Sequence, residues 1–99
     1  MSVVVINRLH FSVPVDEVAP RVAATFPAAF DALDGFERFE LVKVADDRAV
    51  VLIHWRDGAA AQAGAAAIGP TVFRDVVGPL LASEQDRMAG PVVVTHPAG

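Results

Sequence analysis

Few residues in this chain combine reactive chemistry with a setting in which to use it, and the first is Asn7. Read with the two-residue period of a strand, VVVINRLHFSV puts Val3, Val5, Asn7, Leu9, Phe11 and Val13 on one face. Val4, Ile6, Arg8, His10 and Ser12 fall on the other. Asn7 is the one polar side chain on the more apolar face. A carboxamide buried there costs about 1–3 kcal/mol unless its donors and acceptor find partners. Two roles are open to it: a tie to nearby backbone, as at a bulge, or a hydrogen bond to a ligand. Trp55 closes a strand-like run in which Ala49, Val51, Ile53 and Trp55 share a face. Its indole N–H also needs a partner when buried, and either core or a pocket wall can supply one. Together the two side chains would offer an amide to a ligand oxygen and a flat wall to an aromatic ring.

The histidines His10, His54 and His96 all fall on predicted strands, and His10 and His54 share the face opposite Asn7 and Trp55. Imidazoles can hold a metal, but no ligand spacing or alternating carboxylate accompanies these, so they are read as interface or solvent-facing, with no metal and no cofactor expected. No Ser-His-Asp pattern, phosphate-cradling glycine loop, paired-carboxylate motif or zinc spacing is present. Arg74 and Asp75 read as a solvated helix face.

The elements that must position Asn7 and Trp55 follow from the spacing. After the first strand, Pro14 and Asp16 mark a turn and a helix start with Asp16 as N-cap. Val18, Val22, Phe26, Ala29 and Leu33 then recur on one helical face. Pro27 removes a donor from mid-helix, predicting a kink or break, and Gly35 is the expected C-terminal cap. Residues 36–44 and 48–56 read as two strands joined by a hairpin at Asp46-Asp47. Asp57 can cap the next helix, which Gly69-Pro70 interrupts before a second segment over 71–81 carrying Val72, Val76 and Leu80 at four-residue intervals. Residues 83–89 read as a polar connector, and 92–96 as the last strand.

Strand, helix, strand, strand, helix, strand is the split βαβ, ferredoxin-like α+β arrangement, an antiparallel sheet with both helices on one face. Right-handed crossovers order the strands fourth, first, third, second, with the first and third expected side by side and parallel. Asn7 and Trp55 then face one space between sheet and helices, where Leu9, Phe26, Phe30, Val72, Phe73 and Val76 are the expected lining. The other face, with Val4, Ile6, Val50 and Leu52, is too apolar to remain wet, and a second copy of the sheet should cover it.

Composition narrows the partners. Ninety-nine residues make one domain over 1–99 with a small core. A 54% hydrophobic content and mean hydropathy of +0.44 are high, yet no apolar run approaches the roughly 20 residues of a membrane span. The net charge of −4, without a Lys/Arg cluster, disfavours nucleic acid and anionic lipid. The chain has no cysteine, which excludes disulfides and thiolate chemistry, and with no signal-like amino terminus it is expected to be cytoplasmic.

With VVVINR at the start, DGFxxFEL after the first helix (Asp34 to Leu41), IHWxD at the third strand (Ile53 to Asp57) and Gly69-Pro70 inside the second helix, the chain resembles the antibiotic biosynthesis monooxygenase family of dimeric α+β barrels. The resemblance covers nearly the whole chain. It implies a homodimer packed sheet to sheet, with a pocket in each subunit; Asn7 matches the family's first-strand asparagine and Trp55 its third-strand tryptophan, the expected catalytic pair. The haem-degrading branch carries a helical histidine. Here Phe73 and Asp75 stand near that position and no histidine lies between His54 and His96, which disfavours haem. The chain also lacks the tyrosine that some monooxygenase members place in the pocket.

Two functions are therefore carried forward. One is a cofactor-independent monooxygenase acting on an aromatic, phenolic or quinone-like small molecule. The other is a non-catalytic homodimer that binds a small apolar metabolite, favoured by the absence of a strong acid or base in the expected pocket.

Overall fold

The computed structural model describes residues 1–97. Its elements are β1 (Val3–His10), α1 (Val15–Asp31), β2 (Phe36–Ala45), β3 (Arg48–Trp55), α2 (Gly58–Ile68), a helical segment kinked at Thr71 (Gly69–Val77), a 3-10 turn (Gly78–Leu80) and β4 (Asp86–Pro91). The four strands form one sheet in the order β2-β3-β1-β4, as the ferredoxin-like topology requires. Among the described residues, no helix is long and apolar enough to cross a membrane.

β1 and β3 are neighbours but antiparallel, not parallel as the sequence reading had them. The reason is connectivity. β2 and β3 form a hairpin, and the α1 crossover makes β2 parallel to β1, so the strand inserted between them opposes both. Period-two patterning holds on both central strands: Val5, Asn7 and Leu9 of β1 and Ala49, Val51, Ile53 and Trp55 of β3 are buried beneath the helices.

α1 buries Val15, Val18, Val22, Phe26 and Phe30 against that face. Its N-cap is Pro14 rather than Asp16, which lies in the first turn and takes an ion pair from Lys43 at 3.1 Å. Pro27 does not break the helix, which is continuous to Asp31. Pro27 and Ala23, whose carbonyl loses its donor, are both exposed, so solvent can satisfy that oxygen. The helix stops at Ala32, short of Gly35. Gly35 instead shapes the turn into β2: its φ is +78°, and a Cβ there would lie 2.5 Å from that of Ala60.

The last strand is the largest departure. It runs over Asp86–Pro91, not 92–96, so most of the expected connector is strand and His96 lies outside the sheet. Ala82 N–H already donates to His10 O at 2.8 Å, which brings the chain to the end of β1. From there it runs antiparallel to β1, pairing Asp86 with Arg8 through to Pro91 with Val3. By Val92 the partner strand is used up, and Val93 and Val94 are 79% and 83% exposed despite their strand propensity.

Candidate functional site

The cavity owes its existence to α2. That helix, GAAAQAGAAAI, carries almost no side chain large enough to fill the space above β1 and β3. Ala61, Gly64 and Ala65, at three- and four-residue spacing, roof a cavity of about 200 Å³ whose floor is Val5, Asn7, Ile53 and Trp55. Ile68, Phe73 and Phe30 close it with apolar surface, and Gln85 and Arg87 stand at its polar end. Its size is at the small end for a ligand site, ordinary ones running from roughly 300 Å³ upward, which suits one or two fused rings.

Trp55 is 1% exposed and held on three sides. Its ring lies 6.0 Å from that of Phe30 and 5.8 Å from that of Phe36, nearly edge-on to the latter at 73°. On the third side it rests on Gly64, where any Cβ would overlap the indole. The start of α2 is fixed relative to Trp55 by the two residues that follow it. Arg56 N–H donates to Gly35 O, and its guanidinium bonds Asp34 at 3.0 Å and Asp57 at 3.4 Å. Asp57 accepts from Ala60 N–H at 2.8 Å, the expected cap. The bond from Ala60, aided by Arg56, holds the Asp57 carboxyl below its ordinary range; Asp34 first and then Asp57 hold Arg56 up.

Asn7 is 5% exposed, the one buried polar residue among those described, and its Oδ1 has no hydrogen-bond partner. The β1 ladder runs in register through it on both sides, to Val51 and to Arg87, so no bulge accounts for the carboxamide. Gln85 Oε1 is likewise buried without a partner. Both residues line the same cavity, and a buried acceptor without a partner is an exception that calls for a role.

Of the expected lining residues, Phe30 and Phe73 reach the cavity and four do not. Leu9 is core further along β1. Phe26 packs on Phe30 and Phe39, at 5.8 and 5.4 Å. Val72 and Val76 pack half-buried on the core, Val76 beside Ala24 of α1. The expectation assumed α-helical winding after Gly69-Pro70. Thr71 instead leaves helical geometry (φ −118°, ψ −106°) and kinks the chain there, which resets the helical phase, and Ile68 before the kink and Phe73 after it both face the cavity. Ala61, Gly64, Ala65, Gln85 and Arg87 were missed. The first three could have been found as small residues on one helix face opposite a tryptophan; the last two were hidden by the misplaced final strand.

The histidines do not gather. His10 pairs with Asp47 at 3.1 Å and His54 with Glu40 at 3.3 Å, at opposite ends of the far face of the sheet. No group of three metal-ligating side chains exists among the described residues. The cavity wall includes no His, Cys, Met or Tyr, so it does not fit the axial ligation a haem needs.

No family model matches the sequence, and no curated protein does. Solved structures do match. A variant of SnoaB, a cofactor-independent oxygenase from Streptomyces nogalater, superposes with a TM-score of 0.80 at 22% identity, covering 98% of each chain. A candidate antibiotic biosynthesis monooxygenase from Bordetella bronchiseptica gives 0.78 at 15% identity, over 94% of this chain and 98% of its own. A variant of MhuD with two manganese protoporphyrin IX molecules bound per active site gives 0.73 at 21%, over 97% and 99%. The resemblance read from the sequence thus holds at the level of fold: over nearly its whole length, this chain is folded as the antibiotic biosynthesis monooxygenase-type proteins are.

Proposed function

We propose that the chain is a cofactor-independent monooxygenase that oxidises an aromatic, phenolic or quinone-like compound with dioxygen in the cavity between sheet and helices. The observation that carries this is the Asn7 carboxamide, the one buried polar residue among those described, on the floor of a largely apolar cavity beside Trp55. The fold shared with a cofactor-independent oxygenase supports it.

In such a reaction the electrons come from the substrate, ionised as an enolate or phenolate. For an anthrone-like ring the balance is C14H10O + O2 → C14H8O2 + H2O. The ring CH2 becomes a carbonyl that keeps one oxygen atom, and the other leaves as water with the two protons. The protein contributes position and environment. Trp55 walls the ring, the apolar roof excludes water, and the Asn7 amide N–H stabilises the substrate oxyanion. Oxygen uptake with anthrone or a hydroquinone, on chelator-treated protein, tests this. Asn7→Ala should lower the rate by about 100-fold, the usual cost of an oxyanion donor. A wild-type rate equal to buffer, or no effect of the substitution, would sink the proposal.

One observation favours the second reading, a binding protein without turnover: among the described residues, the cavity wall carries no carboxylate or imidazole to move a proton. Ligand binding with no uptake on any ionisable substrate would identify it.

In either role the working form is a homodimer in the cytoplasm. The far face of the sheet presents Val4, Ile6, Val50 and Leu52 half-buried, with Val42 and Met88 41% exposed beside them. Two ion pairs, Arg38–Glu40 along β2 and Arg8–Asp86 across β1 and β4, flank that apolar centre. A second copy of the same face is the partner this fits, apolar on apolar, at about 25 cal/mol per Å² of buried surface.

A further inference from the structure

Eight cationic side chains are present, and six of them, Arg8, Arg38, Lys43, Arg48, Arg56 and Arg74, have a carboxylate within ion-pair distance. Among the described residues only Arg21 and Arg87 have none. Arg21 sits on the outside of α1. Arg87 lies on the cavity wall and is the only charged residue there.

Its position is fixed by the ladder. Arg87 is the register partner of Asn7 across β1 and β4, so both side chains leave the sheet on the helix side, with Cβ atoms roughly 5 Å apart. Gln85, two residues earlier, falls on the same side and lines the same cavity, its Oε1 buried beside it without a partner. The neighbouring Asp86 points the other way and is engaged with Arg8 at 3.8 Å, so it does not neutralise Arg87. One end of a largely apolar cavity is therefore lined by an exposed arginine without a carboxylate partner and by two residues whose buried side-chain oxygens have no partner.

We propose that Arg87 is the specificity residue of this cavity, and that the ligand is an aromatic oxyanion, a carboxylate or phenolate, that also carries a hydroxyl. The anion sits on the guanidinium, whose planar donors suit two oxygens, while the hydroxyl donates to Asn7 Oδ1 or Gln85 Oε1 and satisfies a buried acceptor. A neutral hydrocarbon would leave all three unmet. This rests on the cavity being the ligand site proposed above.

Titration calorimetry at low salt, with quenching of Trp55 as a second signal, tests it with three probes: 4-hydroxy-2-naphthoate, its methyl ester, and 2-naphthoate. The chain has one Trp and no Tyr, so intrinsic fluorescence reports on this cavity alone. Wild-type protein should bind the hydroxy acid about tenfold more tightly than the ester, as a charge-assisted contact implies. That gap should close in Arg87→Gln, with the ester unaffected, persist in part in Arg87→Lys, and be intact in Arg21→Gln. Removing the hydroxyl, as in 2-naphthoate, should weaken binding about threefold or more. Equal binding of acid and ester, or a gap that survives Arg87→Gln, would overturn the proposal while leaving the cavity a site for neutral ligands. Equal binding of the two acids would overturn the role given to the hydroxyl. If no probe binds, the proposal and the cavity's role as a ligand site both fall. A hydroquinone added as a competitor separates the two sources of charge: displacement only above its ionisation pH points to phenolates, displacement by the naphthoates alone to carboxylates.

Discussion

A methyl group at Gly64 has nowhere to go. Gly64 lies in the interior of α2, and a Cβ built on it would overlap Cη2 and Cζ2 of Trp55 and come within 2.7 Å of Cζ3. Trp55 cannot retreat, being 1% exposed and backed by Phe30 and Phe36. Two effects oppose each other in Gly64→Ala. Helix propensity favours alanine by about 1 kcal/mol. Overpacking of a close-packed site costs about 1–3 kcal/mol. Packing wins, for a net loss of about 0–2 kcal/mol, and Gly64→Val, with two more methyls and a poorer helix former, should lose about 3 kcal/mol or more. Gly58, at the start of the same helix, is the internal control. Nothing lies within 4 Å of a Cβ there, so Gly58→Ala should be neutral or slightly stabilising. Urea unfolding at one protein concentration, followed by ellipticity and by Trp55 emission, separates the cases. Gly64→Ala should be less stable than Gly58→Ala, by up to about 2 kcal/mol, with its native emission altered. Equal stability with unchanged emission would show that the indole does not rest on α2, and the cavity as described would not exist.

Asn7→Leu should raise stability by about 1 kcal/mol in the same unfolding assay while abolishing oxygen uptake, because it replaces a buried, unpartnered carboxamide with an apolar side chain of similar size. A destabilised variant would mean that the carboxamide is satisfied in the native protein. Leu52→Asp places a charge at the centre of the far face and should abolish the dimer together with the stable fold. Sedimentation at micromolar concentration checks it, and a well-folded wild-type monomer would show that the face is covered in another way. Asp57→Ala should lower Tm by a few degrees at neutral pH through loss of the cap. Because the folded Asp57 is held below the ordinary carboxylate range, its contribution is complete above that range and lost as pH falls through the folded value. The Tm gap between wild type and variant should therefore narrow in acid; a gap that widens would reverse the sign.

Local patterning made the floor of the site legible and left its roof and rim obscure. The alternation around Asn7 and along Ala49 to Trp55 placed both side chains on one face, since period two is dictated by strand geometry whatever the neighbours are. Gly69-Pro70 likewise announced a break that the structure contains. The direction of β3 against β1 was misjudged by treating adjacency as if it followed from the crossover, when the hairpin decides it. β4 was misplaced because Val92, Val93 and Val94 have the propensity while Asp86–Pro91 has the partner, and pairing with the free edge of β1 outweighs intrinsic preference. With β4 went Gln85 and Arg87, which become site residues only once the ladder assigns their faces. Winding was the third blind spot. A four-residue spacing puts Val72 and Val76 inward on an unbroken α-helix, but the kink at Thr71 resets the phase and sends Phe73 there instead.

The fate of dioxygen tests the proposed activity most directly. Chelator-treated protein would be supplied with anthrone under dioxygen labelled with heavy oxygen, and the product weighed by mass spectrometry. The expected result is a quinone carrying one labelled oxygen, formed well above the rate in buffer and reduced by about 100-fold in Asn7→Ala. An unlabelled product, or a labelled one formed as fast in buffer or by Asn7→Ala, would contradict a monooxygenase built on Asn7 and Trp55.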